Sequence, residues 1–304
     1  MGTHHLLCSQ HLRSGETLCK ILEEDPSLLS VSISNRYRQR LPFLFKILSI
    51  RKALCIQAHP DKTLAQELHA RDPITYPGET TPSRSSVSTC FVYSTRYLVT
   101  IGSNATKDSN HKPEMVVALT PFEALCGFRP FPEIAWFLLT AAPLRRLVGA
   151  PADECISLIQ QDARDLSEEE GALKRAWEAL LRASPSQIAS CTKELMTLLQ
   201  HDDQETAPEL RGLAKLITRL HQQWPNDIGL FAVFFMNHVT LTPGEALFVQ
   251  PNELHAYLSG GTFPTCCLVH LKAVLLTCAP RCRRMHGVLG QCGPRWTHQE
   301  KERH

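Results

Sequence analysis

The feature that most limits how this 304-residue chain can fold is a change of hydrophobic period partway along it. From about Pro132 to Trp224 the apolar residues recur at helical spacing. Leu173, Ala176, Trp177, Leu180 and Leu181 follow the i, i+3, i+4, i+7, i+8 rule, and Leu210, Leu213, Ile217 and Leu220 also keep a helical interval. Ser184-Pro-Ser and Thr206-Ala-Pro punctuate separate helices. The flanks read as strands instead. Upstream stand Leu41 to Ile50, Ala53 to His59, and Glu114 to Thr120. Downstream come Gly229 to Thr240, a Pro243-Gly244 turn, Glu245 to Val249, and His255 to Leu258. A helical block enclosed by strands predicts an α+β chain, with one β domain whose two flanks meet around an inserted helical domain.

Smaller signals refine this outline. A short helix is expected around Leu18, Ile21 and Leu22, stopped near Asp25-Pro26, and Asp61 is placed to cap a helix over Lys62 to Ala70. The stretch Pro77 to Ser109 changes character, becoming rich in Ser and Thr with a strand-like centre at Cys90 to Ile101. Beyond Gly261 the pattern decays among Cys, Arg, Pro and Gly. The expected domains are a β core from 1–130 and 227–261, interrupted by an insertion at 78–107; a helical domain at 131–226; and a poorly ordered tail at 262–304.

The net charge of +2 gives no reason to expect nucleic acid or an anionic membrane as a partner. The tail departs from that balance, with seven Lys and Arg against two Glu, a charge of +5 that leaves −3 for the rest. The first residues lack the basic and apolar regions of a secretory signal, so we expect a cytoplasmic chain whose twelve cysteines are reduced thiols.

Several residues stand at spacings that suit metal chemistry. Residues two apart on a strand face the same side, so Gln57 and His59 would point together, as would Lys112 and Glu114. His255 lies on the strand after Val249, with Tyr257 directed to its side. Singly these are weak signals, since a lone histidine on an apolar strand is more often a packed core residue.

The segments carrying these residues are more specific. Ile56-Gln-Ala-His-Pro, Asn110-His-Lys-Pro-Glu-Met, Leu125-Cys-Gly-Phe-Arg-Pro and Pro243-Gly-Glu-Ala followed by His255-Ala-Tyr resemble the type I mannose-6-phosphate isomerases. They occur in that family's order, with a helical insertion between the third and the fourth. The resemblance covers roughly Leu41 to Tyr76 and Asn110 to Gly260. It implies a cupin-like antiparallel β-sandwich, incomplete here, with an inserted helical domain. It also implies one Zn2+ per chain, held by Gln57, His59, Glu114 and His255.

The implied reaction interconverts mannose 6-phosphate and fructose 6-phosphate through an enediolate, in mannose and GDP-mannose metabolism, in a monomer acting on a sugar phosphate. Lys112 is the candidate for proton transfer and electrostatic support beside the metal. His111 either acts in ring opening or caps its strand. Lys46 interrupts an apolar strand and in the family would help hold the phosphate; otherwise it lies on the strand's solvent side. Cys55 stands where the family usually has a phosphate-binding serine, and a thiol is the weaker hydrogen-bond partner. Tyr257 either lines the pocket or packs in the core, and Glu245 and Glu253 are expected as surface charges.

The chain also departs from that family. Its first residues resemble an internal family segment, which leaves the sheet without its leading strands. An insertion occupies 78–107. The family's Arg-x-Gly-Leu-Thr-x-Lys segment, with an arginine assigned to catalysis, has no match in Gly261 to His304, and Arg281, Arg283, Arg284 and Arg295 sit in unrelated contexts. These departures predict, as the alternative, a catalytically impaired zinc-binding member of the family. The tail residues Cys267, His270, Cys278, Cys282 and His286 offer a separate zinc-knuckle reading whose spacing fits no common template.

Overall fold

The computed structural model describes residues 8–37, 41, 43–45, 47–59, 61, 63–64, 67, 70, 114–161, 165–200, 208–267 and 282–284. The insertion 78–107 and most of the tail lie outside these. The described residues fall into two compact units, one built from the chain up to Cys126 and again from His238, the other from Gly127–Asn237.

The first unit is organised on one long strand. Strands β1 (Phe43–Phe45), β2 (Leu48–Ile50), β3 (Glu114–Ala118), β4 (Phe122–Phe128), β5 (Met236–Leu241), β6 (Ala246–Val249), β7 (His255–Cys267) and β8 (Cys282–Arg284) form a sheet of order β5-β4-β7-β3-β6-β8, with β1 and β2 added on β7. The thirteen-residue β7 is the spine. Along one edge it pairs antiparallel with β3 over Thr262 to Cys266 and with β4 over His255 to Ser259. Along the other it takes β1 and β2, and then an isolated bridge to Gln57.

Gly260 marks the changeover between β4 and β3. Its φ is +112°, and an added Cβ would sit 2.5 Å from the Pro121 carbonyl oxygen and 2.8 Å from Phe122 Cα. Only glycine lets the β3–β4 turn come this close to the spine. The inner face is apolar in period two: Val116 and Ala118 from β3, Ala124 and Cys126 from β4, and Leu247 and Val249 from β6 pack around Tyr257.

Three expectations are corrected here. Gly229–Ala232 is a short helix, and the strand begins only at Met236. The Asp227 carboxylate accepts a hydrogen bond from Gly229 N at 2.7 Å, which starts a helical turn inside an apolar run that reads as strand. Ala53 to His59 is not a continuous strand; it meets β7 through one bridge at Gln57 and a bond from Leu54 N to the Tyr257 carbonyl. Strand β7 continues to Cys267, six residues past the expected boundary, and Cys282–Arg284 pairs with β6 in parallel within an otherwise antiparallel sheet. The architecture remains α+β.

Near the amino end, the helix Leu18–Glu24 is capped by Thr17, whose hydroxyl accepts from Lys20 N, and stops before Pro26. In the second unit, Leu166–Leu181 buries Leu173, Ala176, Trp177 and Leu180, with Asp165 accepting from Ser167 N as its cap. Pro208–Gln223 buries Leu210, Leu213, Leu216, Ile217 and Leu220. Trp177 joins these helices' core through edge-on contacts with Phe128 and Phe235, centroids 5.1 and 5.4 Å apart. No described helix is long and apolar enough to cross a membrane.

Candidate metal centre

Three pieces of chain bring histidines and a carboxylate together inside the first unit. Glu114 opens β3 on the same face as Val116 and Ala118, so a strand that is otherwise apolar buries a carboxylate at its end. His255 opens β7 and is fully enclosed, with 0% exposure. Its ring is fixed by the turn before it: Nδ1 lies 3.0 Å from the Glu253 carbonyl oxygen. A carbonyl only accepts, so Nδ1 carries the proton and, in the neutral ring, Nε2 presents a lone pair.

Gln57 and His255 exchange both backbone hydrogen bonds, at 2.8 and 2.9 Å. Directly opposed residues in such a pair project to the same side of the sheet, which sets Gln57 beside His255. His59 follows two residues later. Its position is set by Asn252, whose backbone N donates to the His59 carbonyl at 2.7 Å. Asn252 has φ +66°, the left-handed conformation that asparagine tolerates in turns.

The resulting geometry is compact. His59 Nε2 lies 3.2 Å from Glu114 Oε1, and His255 Nε2 lies 3.6 Å from Glu114 Oε2. One ligand atom from each of the three residues falls within 4.8 Å of the others. Among the described residues neither Nε2 finds a hydrogen-bond partner, although both atoms are buried. Two imidazole nitrogens facing a buried carboxylate at these distances form a donor set that a cation can occupy. Adjacent corners of a tetrahedron with bonds of about 2.1 Å are separated by about 3.4 Å, so the observed spacings suit a small divalent cation.

Burial pushes the Glu114 carboxyl up, and the imidazoles of His255 and His59 more than reverse this, holding it well below the usual carboxylate range. The group is therefore an anion in its ordinary state. Tyr257, 1% exposed, donates its hydroxyl to Glu114 Oε2 at 2.6 Å.

The other expected site residues fare differently. Lys46, His111 and Lys112 lie outside the described residues. Cys55 is half-buried, two residues before Gln57, and is not part of the three-residue cluster. Cys126 faces His255 across β4 and β7, but burial pushes its thiol far up, so it stays protonated and offers no thiolate. The Tyr257 hydroxyl is committed to Glu114 instead of opening onto a pocket. Glu245 and Glu253 are not idle surface charges: each carboxylate accepts a turn backbone N–H, from Thr242 at 2.7 Å and from Gln250 at 2.9 Å. The sequence reading missed Asn252, although Pro251-Asn252 between two strands is itself a turn signal.

Comparison with known proteins agrees with this arrangement. The family model described as phosphomannose isomerase type I, catalytic domain, matches residues 1–91 and 93–131, and the model for that enzyme's helical insertion domain matches residues 147–236. The mannose-6-phosphate isomerase of Aspergillus fumigatus is 42% identical over 276 residues, covering 86% of this chain and 54% of the relative. The human protein of that name is 35% identical over 269 residues, covering 86% and 55%. The chain thus spans about half the length of the curated relatives it matches.

Among solved structures, a mannose 6-phosphate isomerase bound with zinc and yttrium aligns with a TM-score of 0.63 at 26% identity, over 88% of this chain and 58% of that one. A point mutant of the phosphomannose isomerase from Salmonella typhimurium aligns with a TM-score of 0.64 at 26% identity, over 87% and 57%. Two models of one family match successive parts of the sequence, and a His-Glu-His cluster sits where the β flanks meet; the chain belongs to the type I phosphomannose isomerase family.

Proposed function

We propose that this chain is a zinc-dependent aldose–ketose isomerase acting on mannose 6-phosphate and fructose 6-phosphate. The observation that carries the reading is the pair of buried Nε2 atoms of His59 and His255 that face the Glu114 carboxylate with no hydrogen bond among the described residues. In this reading His59, Glu114 and His255 hold Zn2+, and Gln57 completes the set from its position opposite His255. One carboxylate with neutral ligands leaves a formal charge of +1 on the site. The bound zinc supplies a Lewis acid that polarises the substrate carbonyl and steadies the negative charge that develops when the neighbouring carbon loses its proton.

The remaining roles rest on the family resemblance. Lys112 and His111 stand next to Glu114 in sequence and are proposed for proton transfer and ring opening. Lys46 and Cys55 are proposed to meet the phosphate.

The test is metal analysis and turnover on the same preparation. Purified chain reconstituted with zinc should retain one equivalent after desalting and form fructose 6-phosphate from mannose 6-phosphate. Substituting His59 or His255 by Ala should abolish both. Zinc retention without turnover favours the second reading, a non-catalytic zinc-binding member of the family. A wild-type chain that retains no zinc overturns both.

A further inference from the structure

We infer that Tyr257 is a positioning residue that restricts Glu114 to one-oxygen coordination of the metal, and so keeps a coordination position open. The inference rests on the zinc reading above and deepens it. The two oxygens of Glu114 have different surroundings. Oε1 is 3.2 Å from His59 Nε2, whereas Oε2 lies farther from its imidazole, 3.6 Å from His255 Nε2, and accepts the Tyr257 hydroxyl at 2.6 Å. A carboxylate oxygen engaged by a short charge-assisted hydrogen bond has less electron density and less freedom to turn toward a cation.

The phenol is itself held. Its ring packs against Phe122 and His255, with centroids 5.6 and 5.5 Å apart, and its backbone carbonyl accepts from Leu54 N at 2.8 Å. Tyr257 and His255 lie two apart on β7, so one strand supplies both a ligand and the residue that orients another ligand. Hydrogen-bonding partners behind metal ligands commonly set affinity and geometry by about 10–100-fold. With Oε2 released, Glu114 can take the metal with both oxygens. The coordination number then rises by one and the open position closes.

The experiment compares wild type with Tyr257→Phe, which removes one oxygen and keeps the ring packing. Cobalt(II) replaces zinc so that its visible absorption reports coordination number, and zinc affinity is read by competition with a chromogenic chelator. We expect Tyr257→Phe to weaken and shift the cobalt band toward higher coordination, and to change zinc affinity about tenfold. A band identical to wild type overturns the inference and leaves the zinc reading standing. A wild-type chain that binds neither metal overturns the zinc reading itself. Should Tyr257→Phe fail to fold, 4-aminophenylalanine at position 257, a weaker donor of similar shape, replaces it. A shifted band supports the inference and an unshifted one overturns it.

Discussion

Asp61 and Asn252 hold each other through a reciprocal pair of hydrogen bonds across 191 positions of sequence. Asp61 N donates to Asn252 Oδ1 at 2.9 Å, and Asn252 Nδ2 donates to Asp61 Oδ2 at 2.6 Å. Asn252 N also donates to the His59 carbonyl, so the β6–β7 turn grips the chain on both sides of Pro60. The other carboxylate oxygen of Asp61 accepts from Leu64 N at 2.8 Å, in the manner of a helix cap. The two histidines are therefore set by one turn: Asn252 places His59, and the Glu253 carbonyl orients His255.

Replacing Asn252 tests this grip. Asn252→Ala loses both side-chain bonds and strains a φ of +66°, and is expected to destabilise by about 2–3 kcal/mol. Asn252→Gly relieves the backbone strain but not the lost bonds, so it should recover stability without recovering metal affinity. Chelator competition and urea melts on the two variants separate the effects. Equal metal affinity in wild type and Asn252→Gly would show that the Asn252 side-chain bonds to Asp61 do not help to position His59.

Gly260 is tightly constrained within the sheet. Gly260→Ala places a Cβ 2.5 Å from a backbone carbonyl oxygen, at a φ of +112°, and should cost about 3 kcal/mol or more. Gly212, in the helix Pro208–Gln223, is the control: nothing lies within 4 Å of its added Cβ. Gly212→Ala should stabilise by about 0.5–1 kcal/mol. Thermal melts of the two variants should move in opposite directions.

Burial pushes the Cys155 thiol up to about 12. The folded protein then keeps this proton at pH values where the unfolded chain, with the ordinary thiol value of 9.0, has released it. The contribution is complete below about pH 9 and is lost as pH rises toward 12, at up to about 1.4 kcal/mol per pH unit. Cys155→Ala should flatten the alkaline fall in urea stability between pH 9 and 10.5. In the folded wild type at pH 8, iodoacetamide should modify Cys155 far more slowly than half-buried Cys8.

The sequence shows the helical insertion and the ligand-bearing segments because both are written locally. The 3.6-residue period of Leu173 to Leu180 follows from the helix that buries them, and the motif around His255 sits within one turn and one strand start. What it conceals is set by distant partners. The Gln57 segment reads as a strand because its residues are apolar, yet it meets β7 through the Gln57 bridge and a bond from Leu54 N to the Tyr257 carbonyl instead of a continuous ladder. Nothing near Tyr257 indicates that its hydroxyl belongs to Glu114, 143 positions away. Asp227 and Gly229 decide helix over strand through one side-chain bond that apolar periodicity does not register.

The His59, Glu114 and His255 cluster ties the β3 start, the β7 start and the His59 segment to one point, so cation binding should be linked to folding. Zinc at 100 times its dissociation constant would add about 2.7 kcal/mol to unfolding free energy. Removing it with a chelator should lower the melting temperature of the wild type by several degrees. Glu114→Gln keeps the shape of the side chain but withdraws the charge that the two imidazoles and the cation share. In that variant the melting curves with zinc and with chelator should coincide. A zinc-dependent shift as large as that of the wild type would mean that the stabilising metal sits elsewhere, and the cysteine-rich residues beyond Gly261 would then be the place to look.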